Sequence, residues 1–168
     1  CLDPSRPGIV LAYCQLATAS DIEKAITFSK ETATTRWDND SKYRDQIFSQ
    51  VAVELKKARA ELISYGLMNV GKSVLDLDAE VSEAIDFTDY YPRALRSFRK
   101  KFPHLQLNSK GTVVVISPWN FPIAIPIGGI IAALAAGNRV ILKPSPLSIL
   151  ATYKAVECLW SAGIPKEA

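Results

Sequence analysis

Along the first hundred residues the apolar positions recur with helical period, and after residue 110 that period gives way to unbroken apolar runs. Ile47, Val51, Leu55, Ala58, Leu62 and Tyr65 are spaced by three or four with charges between them, the pattern of an amphipathic helix. A second stripe, Val81, Ala84, Ile85, Thr88, Tyr91, Leu95 and Phe98, predicts a helix over about 76–98, which Pro92 should kink or break. Upstream, Ser20-Asp-Ile-Glu23 has the form of a capping box and predicts a helix reaching about Thr34, with Trp37 packed at its exit. Residues 1–16 contain Pro4, Pro7 and Gly8 and no helical period. They read as an extended arm, with 9–13 as a short edge strand.

The second part reads differently. Val113-Val-Val-Ile116 is a β-branched run without polar alternation, the pattern of a strand buried on both faces in a parallel sheet, and 140–142 repeats it. Between them lies an Ala/Gly/Ile-rich segment bounded by Pro122 and Gly137, so the predicted order is strand, helix, strand: one βαβ unit. Phe121 precedes a proline and is biased away from the helical region, which places the helix start between Pro122 and Pro126. No Asp, Glu, Lys or Arg occurs between Lys110 and Arg139, a gap long enough to cross a bilayer. Pro118, Pro122 and Pro126 crowd its first half and Asn120 would sit unpaired in hydrocarbon, which argues against a span. In a soluble sheet, 117–120 becomes the loop at the carboxyl end of a strand, where open α/β sheets bind ligands.

That loop and the strand after it carry the candidate chemistry. Ile116-Ser-Pro-Trp-Asn-Phe-Pro122, then Ala135-Ala-Gly-Asn138, then Lys143-Pro-Ser145, resemble the NAD(P)-dependent aldehyde dehydrogenase superfamily. The resemblance implies that Asn120 helps form an oxyanion hole, that Ile116, Ser117, Pro118 and Trp119 line the nicotinamide side of the cofactor, and that Lys143, with Ser145 in the same string, serves the adenosine ribose. These residue types suit the roles. A side-chain amide offers two donors on a short stem, and a fixed donor aimed at a developing alkoxide is worth about 3 to 4 kcal/mol in the barrier. Taken singly, an Asn between prolines is a common turn residue and a strand-terminal Lys is commonly solvated. Their order on one βαβ unit is what gives them weight.

Upstream, Gly71-Lys-Ser73, Glu83-Ala-Ile-Asp-Phe87 and Tyr90-Tyr91 are most similar to delta-1-pyrroline-5-carboxylate dehydrogenases, including the dehydrogenase module of bifunctional proline-utilisation proteins. The substrate implied is a small-molecule aldehyde, in that subfamily glutamate semialdehyde, oxidised to the acid. Two departures stand out. Asn69-Val70 replaces the acidic residue that often precedes the Gly-Lys pair, and Pro146 stands where many members carry a ribose-binding glutamate, so the cofactor is left as NAD or NADP.

Gly66-Leu-Met-Asn-Val-Gly71-Lys72-Ser73 also satisfies the Walker A pattern of a P-loop NTPase. A P-loop must follow a buried strand, whereas this one follows a helical stripe, so Gly66 and Gly71 read as helix-ending residues. The basic cluster Arg93, Arg96, Arg99, Lys100 and Lys101 follows an acidic segment in a chain of net charge +3, the balance of a solvated helix end and not of a nucleic-acid surface. His104, the one histidine, offers no dyad partner. Cys1, Cys14 and Cys158 are scattered, odd in number and outside any metal-type spacing, as expected of free thiols in a reducing cytosol.

The expected fold is therefore α/β: an N-terminal arm and helices over 1–109, then the first strand-helix-strand-helix, 110–168, of a Rossmann-like parallel-sheet cofactor domain. A helix over about 147–162 should close it, followed by no third strand. The expectation is an N-terminal fragment, homo-oligomeric when full length, and inactive alone because no cysteine here has the family's nucleophile context. The rival reading is a non-catalytic fragment or scaffold.

Overall fold

The computed structural model describes residues 1–31, 37 and 40–168. In chain order the elements are α1 (Ala19–Glu31), α2 (Ser41–Lys57), α3 (Arg59–Val70), α4 (Val74–Lys101), β1 (Thr112–Ile116), α5 (Ala124–Ala135), β2 (Arg139–Lys143) and α6 (Ile149–Ser161). Helices thus pack with a two-stranded parallel sheet, a mixed α/β architecture. β1 and β2 pair in register from Thr112 opposite Arg139 to Ile116 opposite Lys143, with α5 as the crossover.

Helix ends differ from expectation where the pattern allows more than one start. Both Thr18 and Ser20 have an acid three residues on, and the reciprocal bonds form at the earlier one. The Thr18 N–H and hydroxyl donate to Asp21 Oδ2 at 2.9 and 2.7 Å, and the Asp21 N–H donates back to Thr18 Oγ1 at 3.3 Å. The Thr18 N–H, followed by its hydroxyl, holds the Asp21 carboxyl below its ordinary range. Ser20 lies inside the first turn, and the expected helix end at Thr34 falls outside the described residues. Trp37 is buried against the edge of Phe48, with ring centroids 5.8 Å apart.

The stripe from Ile47 to Tyr65 is two helices joined at Ala58. Gly66 does not end the second. It is buried within α3, where a Cβ would lie 2.3 Å from Leu77 Cδ2, so its lack of a side chain lets α4 pass close. The end comes at Gly71, whose φ of 67° is left-handed, with its N–H on the Leu67 carbonyl. α4 starts at Val74, capped by Ser73, and runs through Pro92 unbroken. Proline removes one bond of the ladder, but Pro92 is buried, and one turn beyond it Arg96 pairs with Asp45 of α2 at 2.7 Å. The 9–13 edge strand reduces to a single antiparallel bridge, Leu2 to Val10.

One apolar core joins the two parts: Phe48, Val51 and Leu55 of α2, Leu62 of α3, Leu77, Val81 and Ala84 of α4, Ile127, Ile131 and Leu134 of α5, and Ala155 and Leu159 of α6. α5 ends as a Schellman motif, Gly137 N–H to Leu134 O and Asn138 N–H to Ala133 O, with Gly137 at φ 83°. The strand expected to be buried on both faces is covered on one and only partly on the other: α1 reaches the second face at Thr112, whose hydroxyl meets that of Ser29 at 2.8 Å, while Val114 and Ile116 beyond it are 56% and 71% exposed. No helix among the described residues is long and apolar enough to cross a membrane.

Candidate functional site

The parallel register sets the site. Because Ile116 pairs with Lys143, the loop after β1 and the Lys143-Pro-Ser145 string leave the sheet side by side at its carboxyl edge. The Ser117 N–H still continues the ladder onto the Lys143 carbonyl at 3.3 Å. Pro118, Trp119 and Asn120 are exposed beyond it, as is Lys143. Trp119 meets Pro146 across a cleft of about 400 Å³ whose other wall includes Asn69 and Leu2.

The main chain that carries Asn120 is clamped from two helices and the turn between α3 and α4. Glu80 of α4 has a fully buried side chain, and its Oε1 accepts from the N–H groups of Ile123 and Ala124 at 2.7 and 3.0 Å. These are two of the unsatisfied donors at the start of α5, whose own capping residue, Ile123, has no side-chain acceptor. Glu80 Oε2 receives Lys72 Nζ at 2.7 Å, and the same ammonium donates to the Asn120 carbonyl at 3.1 Å and stands 3.7 Å from the centre of the Phe121 ring. From α6, Thr152 Oγ1 donates to the Pro122 carbonyl at 2.8 Å. The Asn120 amide makes no hydrogen bond among the described residues. The backbone is thus fixed, and the amide's two donors remain available to a ligand.

The other candidates divide. Ser117 Oγ is buried without a hydrogen-bond partner among the described residues, an unsatisfied polar atom at the strand end. Lys143 makes no ion pair among them, so its three donors are free. Ser145 is buried and its hydroxyl accepts from the Leu147 N–H at 3.3 Å, which fixes the turn into α6. Asn69 turns out to be structural: its Oδ1 accepts from the Ala151 N–H and its Nδ2 donates to the Leu147 carbonyl, tying α3 to the start of α6. The Walker-like lysine is Lys72. It follows a helix, not a strand, and is occupied by Glu80, so the segment has no phosphate cradle.

Glu80 and Thr152 are absent from the sequence-derived site. Glu80 does leave a trace, an acid set among Leu77, Val81 and Ala84 on an otherwise apolar stripe. Thr152 leaves none. Of the cysteines, Cys14 is exposed, Cys1 is half-buried with its thiol 3.8 Å from that of Cys14, and Cys158 is buried in α6.

Comparison with known proteins identifies the family. A family model described as "Aldehyde dehydrogenase family" matches residues 1–168. The chain is 35% identical over 164 residues to the bifunctional protein PutA of Escherichia coli K12, covering 98% of this chain and 12% of that protein. It is 32% identical over 176 residues to the 1-pyrroline-5-carboxylate dehydrogenase of Staphylococcus haemolyticus, covering 98% of this chain and 34% of that one. The crystal structure of 1-pyrroline-5-carboxylate dehydrogenase from Thermus with bound NAD superposes with a TM-score of 0.77 at 29% identity, over 99% of this chain and 34% of the other. The chain thus spans about a third or less of these relatives, and what it matches is the amino-terminal part of the aldehyde dehydrogenase fold. Agreement along the whole chain, in sequence and in backbone, has one consequence: the chain belongs to the aldehyde dehydrogenase family.

Proposed function

We propose that this chain forms the oxyanion side and the front of the NAD(P) site in an enzyme that oxidises glutamate semialdehyde, the open form of 1-pyrroline-5-carboxylate, to the carboxylic acid. The observation that carries the reading is the free Asn120 amide on a clamped main chain, beside Lys143 at the carboxyl edge of the sheet. The names of the relatives support the substrate.

The chain's own residues do the following. Asn120 donates to the aldehyde oxygen and binds it more strongly as negative charge develops there, which lowers the barrier rather than the ground state. Ile116, Ser117, Pro118 and Trp119 would hold the nicotinamide side of NAD(P), and Lys143 with Ser145 the adenosine side. The buried unpartnered Ser117 hydroxyl and the free Lys143 ammonium suit a ligand rich in hydroxyls and phosphate. NAD(P)+, when bound, supplies the hydride acceptor. The nucleophile comes from elsewhere in the complete protein. Cys158 is buried with its thiol pushed up to about 11, the opposite of an activated thiolate, and Cys1 and Cys14 lie on the arm. On this reading the 168-residue chain alone does not turn over, and its free thiols suit a reducing, cytoplasmic setting.

The test is Asn120→Ala in the complete protein with pyrroline-5-carboxylate and NAD+. The expected result is a kcat lowered about a hundredfold with cofactor affinity little changed, as loss of one oxyanion donor produces. An unchanged kcat with weakened cofactor binding would reassign Asn120 to the cofactor and remove the ground for the reading.

A further inference from the structure

We propose that Lys72 and Glu80 are positioning residues for the Asn120 amide, a paired charge whose function is to hold the 120–124 main chain in one conformation. For its catalytic consequence this inference rests on the oxidation reaction proposed above; its conformational half does not.

The argument starts from cost. A fully buried carboxylate is tolerated only when paired and hydrogen-bonded, and even then a buried ion pair adds little net stability over an apolar replacement. Such a pair is therefore better understood by what it specifies. Glu80 spends one oxygen on two consecutive backbone donors, Ile123 and Ala124, and the other on Lys72. Lys72, 15% exposed, spends its ammonium on that oxygen, on the Asn120 carbonyl and on the face of Phe121. Each contact of the pair outside itself falls on 120–124, within four residues of the candidate oxyanion donor. The partners come from the turn after α3 and from the second turn of α4, so the segment is referenced to the helical core and not to its own local sequence.

Neither group reaches solvent beyond the loop in a way that would make it a ligand for substrate. Their effect must run through Asn120. An amide displaced by a fraction of its hydrogen-bond length still lets aldehyde and NAD+ bind, but it loses the donor geometry that matters in the transition state. A purely structural pair would instead lower the melting temperature and leave the kinetics of the folded enzyme intact.

The experiment uses the complete protein with Lys72→Arg and with the double variant Lys72→Met/Glu80→Gln. The double variant leaves no unpaired buried charge and keeps a carbonyl for Ile123 and Ala124, so it retains the fold. Two readouts are taken: steady-state kinetics with pyrroline-5-carboxylate and NAD+, and acrylamide quenching of Trp119, isolated as the difference from the matching Trp119→Phe protein. For the double variant the expected outcome is a kcat reduced about tenfold, KM and the NAD+ Kd within about twofold, and Trp119 quenched more readily, with Lys72→Arg close to the parent in all of these. Parental kcat and parental quenching in the double variant overturn the proposal, as does a loss carried by KM or by NAD+ affinity. If the parent oxidises no aldehyde, the reaction proposed above fails while the Trp119 quenching still decides whether the pair orders the loop.

Discussion

At the scale of single residues, Cys158 shows how burial separates the thiols. Its side chain sits in α6 with 7% of the residue exposed; desolvation first, then the nearby charges of Glu61 and Glu54, push its pKa up to about 11. In the unfolded chain the thiol ionises near the ordinary value of about 8.5. The unfolded state therefore sheds its proton first as pH rises. The stability contributed by keeping Cys158 protonated is full below about 8.5 and lost as pH climbs towards about 11. Over that window the parent should lose denaturation stability relative to Cys158→Ala. Iodoacetamide at pH 8.5 should modify exposed Cys14 well before Cys158; equal rates at the two would show that the helix does not shield the thiol. The same scale shows what a sequence discloses about a site. Asn120 and Lys143 are legible because the strings around them are local. Glu80 meets its loop partners 43 and 44 positions away, a relation that only packing creates. Lys72 is visible in the Gly71-Lys-Ser73 string, and the missing strand excludes the Walker reading, but the string does not disclose that its partner is Glu80.

Among the elements, α5 is the wedge that brings the two parts together, and its paired glycines set how close it comes. A Cβ on Gly128 would lie 2.8 Å from Cδ2 of Phe87 in α4, and one on Gly129 would lie 2.9 Å from Cγ1 of Val115 in β1. Alanine improves helix propensity by about 1 kcal/mol over glycine, whereas forcing an extra methyl into a packed contact costs about 1 to 3 kcal/mol. The neighbour decides which wins. Phe87 is a half-buried ring that can tilt, but Val115 is β-branched and fixed on a paired strand, so it can move only with the backbone. Gly129→Ala should therefore destabilise the chain by roughly 1 to 2 kcal/mol in urea unfolding, while Gly128→Ala falls closer to neutral. A stabilised Gly129→Ala would mean that propensity outweighs the contact. Period made the helical stripes and the two strands legible, but not their boundaries or their number. Thr18 displaced Ser20 because two residues offered the same cap, and Ala58 divided one stripe into two helices with no glycine or proline to mark it. Pro92 does not break α4, where it is buried with Val81, Ala84, Ile85 and Thr88 on the same helix.

For the molecule as a whole, the decisive quantity is the apolar surface that the sheet leaves uncovered. The Val113-Val-Val-Ile116 run has the composition of a strand with neighbours on both faces, yet α5 packs against the Val115 side while Val114 and Ile116 face outwards. The outer edge of β2 is partly closed, since the Val140 N–H donates to the Ala168 carbonyl at 2.7 Å. What remains open is the outward face at Val114 and Ile116 together with the far edge of β1, which pairs with no further strand among the described residues. Contiguous exposed apolar area of this kind drives association when nothing else covers it. The 168-residue chain in solution should accordingly self-associate at tens of micromolar, on the order of the concentrations at which incompletely covered folds aggregate, and bind a hydrophobic dye. Val114→Thr with Ile116→Thr keeps β-branched residues suited to the strand and removes apolar surface only on the outward face. Sedimentation and dye binding should then fall towards monomeric values with the far-ultraviolet circular dichroism unchanged. Undiminished association would place the sticky surface elsewhere, on the exposed Leu75 or Tyr13 for instance, which are 83% and 91% exposed. Loss of the dichroism would show instead that these side chains hold β1 in place, in which case the outward face is part of the core and not a surface awaiting a partner.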